Sequence, residues 1–135
     1  MATYSILLVR KKDTLPAANL DDKRFTYRQV NMKPFIFSTT KSIISEIGAI
    51  ERIAEICSTL DISKPLIITD QGIVDVGLMQ PLDVAFKHAG KEYFCFDQVV
   101  ADPPEHIVLS AVTYAKELEV DGIIGFGGGS SLDTA

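Results

Sequence analysis

The stretch Gly122-Ile123-Ile124-Gly125-Phe126-Gly127-Gly128-Gly129-Ser130-Ser131-Leu132-Asp133-Thr134-Ala135 decides the fold. Its first five residues make a short apolar run, the pattern of a strand buried on both faces of a parallel sheet. The glycines then turn the chain toward a new helix, for which only Ser131 to Ala135 remain. A glycine turn between a buried strand and a helix start lets backbone N–H groups approach an anion closely, and the helix dipole favours the negative charge. The bland alternative is a flexible glycine-serine linker. The spacing from Gly125 to Ser130 resembles GxGxxG with serine in the last place, and that pattern alone is weak.

Working upstream, Asp102-Pro103-Pro104-Glu105 reads as a helix start, with Asp102 as the cap, proline in the first turn and Glu105 completing a capping box. Val108, Ala111, Val112, Ala115 and Leu118 then supply a buried face. Tyr93-Phe94-Cys95-Phe96 is a short strand. Before it, Leu78, Leu82, Ala85, Phe86 and Ala89 recur at helical spacing and stop at Gly90. Leu66-Ile67-Ile68-Thr69 is a second buried strand, ending at Asp70. From Thr40 to Leu60 the residues Ile43, Ile47, Ile50, Ala54, Cys57 and Leu60 predict one long helix. The first third reads as strands, Tyr4 to Val9 and Phe25 to Phe37, a β-hairpin whose Pro34 belongs at a sheet edge.

Strand, helix, strand, helix, strand, glycine turn is the order of right-handed βαβ crossovers, so the fold class is α/β, a parallel sheet flanked by helices with an N-terminal strand-rich β-hairpin extension. Residues 1–39 are expected to form the hairpin and 40–135 the α/β domain. Ligands in such sheets bind beyond the carboxyl ends of the strands, where both Asp70 and the glycine turn lie. An aspartate at a strand end is nevertheless more often a turn or cap residue than a ligand.

The bulk properties close off other classes. With 47% hydrophobic and 23% charged residues in 135, the chain has the composition of a folded domain. Its net charge of −5 comes with no basic block beyond Arg10-Lys11-Lys12, which argues against nucleic acid. No apolar run is long enough to span a membrane, and the start lacks a signal peptide, so a cytoplasmic location is expected. Cys57 and Cys95 have no CxxC spacing and read as core thiols. His88 and His106 fall on different predicted helices and read as surface residues.

Gly127-Gly128-Gly129-Ser130-Ser131-Leu132-Asp133-Thr134-Ala135 resembles the GGGSxxDxAK signature of the iron-containing (group III) alcohol dehydrogenases, lacking only the final lysine. Ile67-Ile68-Thr69-Asp70-Gln71-Gly72 resembles that family's "VTD.G" strand end, Asp102-Pro103-Pro104 its "NP" element, and Lys33-Pro34-Phe35-Ile36-Phe37 the strand before its first helix. The resemblance implies a Rossmann-like domain and a cofactor site in which Gly128, Gly129 and Ser130 hold the diphosphate of a nicotinamide dinucleotide. Asp70 would meet the adenosine ribose, hydrogen-bonding a 2′-hydroxyl and repelling a 2′-phosphate, which favours NAD over NADP.

Asp133 would stand on the nicotinamide side, or serve as a first-turn acid that complements the helix dipole. Asp102 stands where the family usually has asparagine, and near a diphosphate its charge costs on the order of 1 kcal/mol; the favoured reading is a plain N-cap, which explains the residue without any ligand. In the family, a second helical domain supplies one aspartate and three histidines that bind iron or zinc. The chain is therefore expected to be an N-terminal cofactor-binding fragment of a metal-dependent alcohol or aldehyde oxidoreductase, inactive alone, with no catalytic or metal-binding residue of its own. The resemblance also implies a homodimer through the N-terminal strands. The alternatives are a self-associating domain that binds no nucleotide, or a piece of a glycerol dehydrogenase- or dehydroquinate synthase-like enzyme.

Overall fold

A computed structural model of the chain describes residues 6–11 and 43–135. Four strands, β1 (Ile6–Lys11), β2 (Pro65–Asp70), β3 (Phe94–Val99) and β4 (Gly122–Gly127), form one sheet in the order β1-β4-β2-β3. The three inner-reading strands predicted from sequence are parallel: Leu66 lies beside Phe94 on one side and Ile123 on the other. β1 closes one edge antiparallel to β4, from Ile6 opposite Gly127 to Lys11 opposite Gly122. The predicted hairpin partner, Phe25 to Phe37, lies outside the described residues.

Side chains alternate across a strand, so β2 buries both of its faces. Ile67 joins Ile124 and Phe126 under a layer made of Ile53, Ala54 and Cys57 from α1 (Ile53–Thr59) and Leu82, Ala85 and Phe86 from α3 (Gln80–His88). Leu66 and Ile68 point the other way, onto Phe96, Val99 and Val120 and onto Ala111 of α4 (Glu105–Glu117). This two-sided packing is why the strand reads as an unbroken apolar run. It also makes the architecture the Rossmann-like sheet flanked by helices that the sequence predicts. No helix among the described residues is long and apolar enough to cross a membrane.

Three sequence expectations are corrected. The helix predicted from Thr40 to Leu60 is described only from Ile43, and there it starts late: residues 43–48 are irregular, a 3-10 turn runs over Ala49–Arg52, and α1 follows. Gly48, at φ +79°, interrupts the helical path, and Ile43 and Ile47 are exposed instead of lining a core. Asp102 does not cap α4. Pro103 precedes a second proline and is pushed away from the helical region, so the helix cannot open directly after Asp102; Pro104 stays extended as the N-cap, the helix opens at Glu105, and Asp102 sits outside it at φ +48°. Finally, Val112 is exposed; the packed face of α4 runs through Ile107, Ala111, Tyr114, Ala115 and Leu118.

Other features follow the sequence. α3 is closed by Gly90, just past its C-cap Ala89: the Gly90 N–H donates to the Lys87 carbonyl at 3.1 Å while Lys91 N–H reaches the Phe86 carbonyl at 3.0 Å, the paired bonds of a Schellman turn. Burial pushes the Cys57 and Cys95 thiols up to about 11 each, consistent with inert packing residues. At the opposite end of the sheet from the glycine turn, the Asp121 carboxylate accepts from Ser63 N–H at 2.9 Å, Ser63 Oγ at 2.7 Å and Lys64 N–H at 2.7 Å, tying the start of β2 to the start of β4.

Candidate functional site

The carboxyl ends of β2 and β4 are neighbours because the two strands pair in parallel and in register, Ile68 beside Gly125. β2 ends in Asp70. Its extended backbone makes it the N-cap of α2 (Gln71–Asp75), a short helix that the sequence does not announce, and Oδ1 accepts from Ile73 N–H at 3.1 Å. Oδ2 accepts from the Ser131 hydroxyl at 3.3 Å. The cap reading of Asp70 is therefore correct, and it occupies only one of the two oxygens.

β4 ends in Gly127 at φ +141°, a conformation L side chains rarely adopt. A Cβ there would lie 2.9 Å from Ser131 Oγ and 3.3 Å from Asp70 Oδ2, so Gly127 is wedged against the carboxylate-hydroxyl pair. Gly128 then caps α5 (Gly129–Thr134), which forms from the few residues available and lies on β4: a Cβ on Gly125 would come within 3.2 Å of Leu132 and Ala135. A Cβ on Gly128 or Gly129 would meet nothing within 4 Å. The turn thus has a packed floor at Gly127 and an open, exposed outer surface.

Sequence-predicted site residues divide accordingly. Asp70 and the Gly128-Gly129-Ser130 turn are brought together, bridged by Ser131 and Gly127. Ser130 is half-buried, its carbonyl accepting from Thr134 Oγ1 at 2.8 Å. Asp102 is exposed on the loop after β3, and Asp133 is exposed on α5; among the described residues neither is hydrogen-bonded or ion-paired to Asp70. The alternative that made Asp133 a first-turn acid fails, because α5 opens at Gly129 and Asp133 is past its first turn. Sequence reasoning missed Ser131, which is fully buried. A second serine directly after the motif serine was the one available signal.

One further polar group lies beside the site. Thr69, fully buried on β2, has no hydrogen-bond partner for its hydroxyl among the described residues. A separate shallow groove runs between β3 and α4, lined by Cys95, Asp97, Leu109, Thr113, Tyr114 and Glu117 among others. It has none of the strand-end geometry. His88 closes α3 and His106 sits in the first turn of α4, both exposed. Among the described residues there is no group of three or more histidine, cysteine, aspartate or glutamate side chains placed to hold a metal ion.

Residues 40–135 match the family described as iron-containing alcohol dehydrogenase. Among curated relatives, the chain is 36% identical over 100 residues to a sulfoacetaldehyde reductase of Bilophila wadsworthia, covering 74% of this chain and 26% of that protein. It is 38% identical over 89 residues to a choline dehydrogenase of Bacillus subtilis, covering 66% and 22%. Among solved structures, an NADH-dependent butanol dehydrogenase A from Thermotoga maritima superposes with a TM-score of 0.68 at 30% identity, over 77% of this chain and 26% of that one. The chain spans about a quarter of the length of these relatives. A matched segment that covers most of the chain, a shared parallel-sheet fold and a strand-end glycine turn leave one assignment: the chain belongs to the iron-containing alcohol dehydrogenase family.

Proposed function

We propose that this chain is the dinucleotide-binding part of a cytoplasmic, NAD-dependent oxidoreductase that interconverts alcohols and aldehydes. One observation carries the reading: a strand-end carboxylate is joined directly to an open glycine turn at the carboxyl ends of two adjacent parallel strands. The open sides of Gly128 and Gly129 leave room for backbone N–H groups to meet a diphosphate, while Asp70 keeps lone pairs for ribose hydroxyls. Ser130 shares the diphosphate, and Asp133 stands on the nicotinamide side. Asp102, on the loop after β3, weakens diphosphate binding by charge repulsion.

Two relatives support the choice of cofactor by name, the NADH-dependent butanol dehydrogenase and an NAD-dependent methanol dehydrogenase of Bacillus methanolicus. Bound nicotinamide would supply the hydride chemistry; these residues bind and orient it. Among the described residues no group of side chains fits a metal ion. Alone, the chain is expected to show no alcohol turnover with added NAD, iron or zinc. Calorimetric titration tests the reading: NAD binding in the micromolar to low-millimolar range, tighter than NADP, is expected, and absence of heat with either dinucleotide overturns it.

The self-association reading has its own support. Among the described residues β1 occupies a sheet edge, and such an edge is a template for strand pairing. A second copy of this chain is the proposed partner. Light scattering should report a dimer that deletion of the N-terminal strands abolishes, and a monomeric intact chain would refute it.

A further inference from the structure

The carboxylate of Asp70 is held from two sides by two different elements. Ile73 N–H, in the first turn of α2, holds Oδ1 at 3.1 Å, and the Ser131 hydroxyl, on α5, holds Oδ2 at 3.3 Å across 61 residues of sequence. Two donors on the two oxygens fix both the rotation and the plane of the group, whereas one donor leaves it free to swing about that single bond. Ser131 is wholly buried and Gly127 lies against it, so its hydroxyl has little room to turn elsewhere.

We propose that Ser131 is a positioning residue that sets the cofactor specificity of this site by locking Asp70 toward a vicinal diol. The inference rests on the nucleotide-binding reading above. A carboxylate with a fixed plane presents its remaining lone pairs in one direction, which suits the two hydroxyls of an unmodified adenosine ribose. The same rigidity prevents it from swinging aside to relieve repulsion from a 2′-phosphate. Removing the Ser131 hydroxyl therefore acts in opposite directions on the two cofactors: NAD loses a pre-oriented acceptor, and NADP meets a carboxylate that can retreat. A residue that only filled space beside the turn would weaken both alike.

The test is a double-mutant cycle read by calorimetry with NAD and NADP, using Ser131→Ala, Asp70→Asn and the double variant, with thermal midpoints confirming that each folds. Asp70→Asn keeps an oxygen to cap α2, and so leaves the fold in place. If Ser131 acts through Asp70, S131A lowers NAD affinity about three- to tenfold, the loss of one hydrogen bond. NADP affinity is unchanged or raised, and S131A has less than a twofold effect on NAD once Asp70 is asparagine. An equal loss for both cofactors, or the same loss in both Asp70 backgrounds, overturns the inference and leaves the binding reading standing. Should the unaltered protein bind neither cofactor, the binding reading falls, and this inference with it. If S131A does not fold, Ser131→Cys serves in its place, retaining the volume with a weaker donor and the same expected pattern at smaller size.

Discussion

Replacing Gly127 and Gly129 separately by alanine divides what the glycine turn does for the fold from what it does for a ligand. Gly127 sits at φ +141°, and its new Cβ would lie 2.9 Å from Ser131 Oγ. The backbone conformation alone costs an alanine about 1–3 kcal/mol. Displacing the Ser131 hydroxyl from Asp70 adds about 1 kcal/mol. A total of about 2–4 kcal/mol corresponds to a melting point lower by roughly 6–16 °C in a domain of this size. Gly129 has the reverse profile: it opens α5, its Cβ would meet nothing within 4 Å, and alanine is the better helix former. Gly129→Ala should melt at the unaltered temperature or slightly above, yet bind NAD at least tenfold more weakly, because the methyl group enters the space assigned to the diphosphate. Differential scanning calorimetry and NAD titration on both variants give the four numbers. A Gly127→Ala protein as stable as the parent would refute the packing argument, and a Gly129→Ala protein that binds NAD normally would refute the ligand argument.

Asp121 makes the fold sensitive to acid. Burial alone would raise its pKa, but the hydrogen bonds from the Ser63 hydroxyl and the Ser63 and Lys64 N–H groups outweigh that and hold it below the usual carboxylate value. Its contribution is thus fully present above the ordinary carboxylate range and is lost as the pH falls through the lower, folded value. Asp121→Ala should cost about 1 kcal/mol at neutral pH, solvent screening included, and should flatten the acid side of a melting-point profile; an unchanged profile would contradict the assignment. Thr69→Val removes a buried hydroxyl that has no partner among the described residues, and should leave stability unchanged or raise it by about 1 kcal/mol in chemical denaturation. A loss above that size would mean the hydroxyl has an unrecognised partner.

The elements that could be read from sequence are those whose signal is local. β2 and β4 declare themselves by unbroken apolar runs, α3 by its spacing and by Gly90, and the glycine turn by its place between a strand and a helix start. Where two local signals compete, only one of them reports the backbone. The isoleucine period from Ile43 to Ile50 runs straight across Gly48, but only the glycine carries the φ that breaks the helix. At Asp102 the capping pattern competes with the Pro103-Pro104 pair, in which the first proline is kept out of the helical region by the second, so the helix starts two residues later than the pattern implies. Asp70 and the turn were each visible, but not the bond that joins them. Ser131 lies 61 residues from Asp70, and nothing in either segment states that β2 and β4 are neighbours in the sheet. At Asp70 the cap and ligand roles are compatible, since a carboxylate has lone pairs enough to cap α2 and still face a crevice.

The most direct measurement of the proposed function is a nuclear magnetic resonance titration of NAD into isotope-labelled protein, because it reports where the ligand sits as well as whether it binds. Backbone amide shifts should concentrate at Gly127 to Ser131 and at Asp70 to Ile73, where the turn and the anchored carboxylate meet. Shifts that gather instead along Cys95 to Gln98 and Leu109 to Glu117, the groove beside β3, or no shifts at millimolar NAD, would contradict the strand-end site.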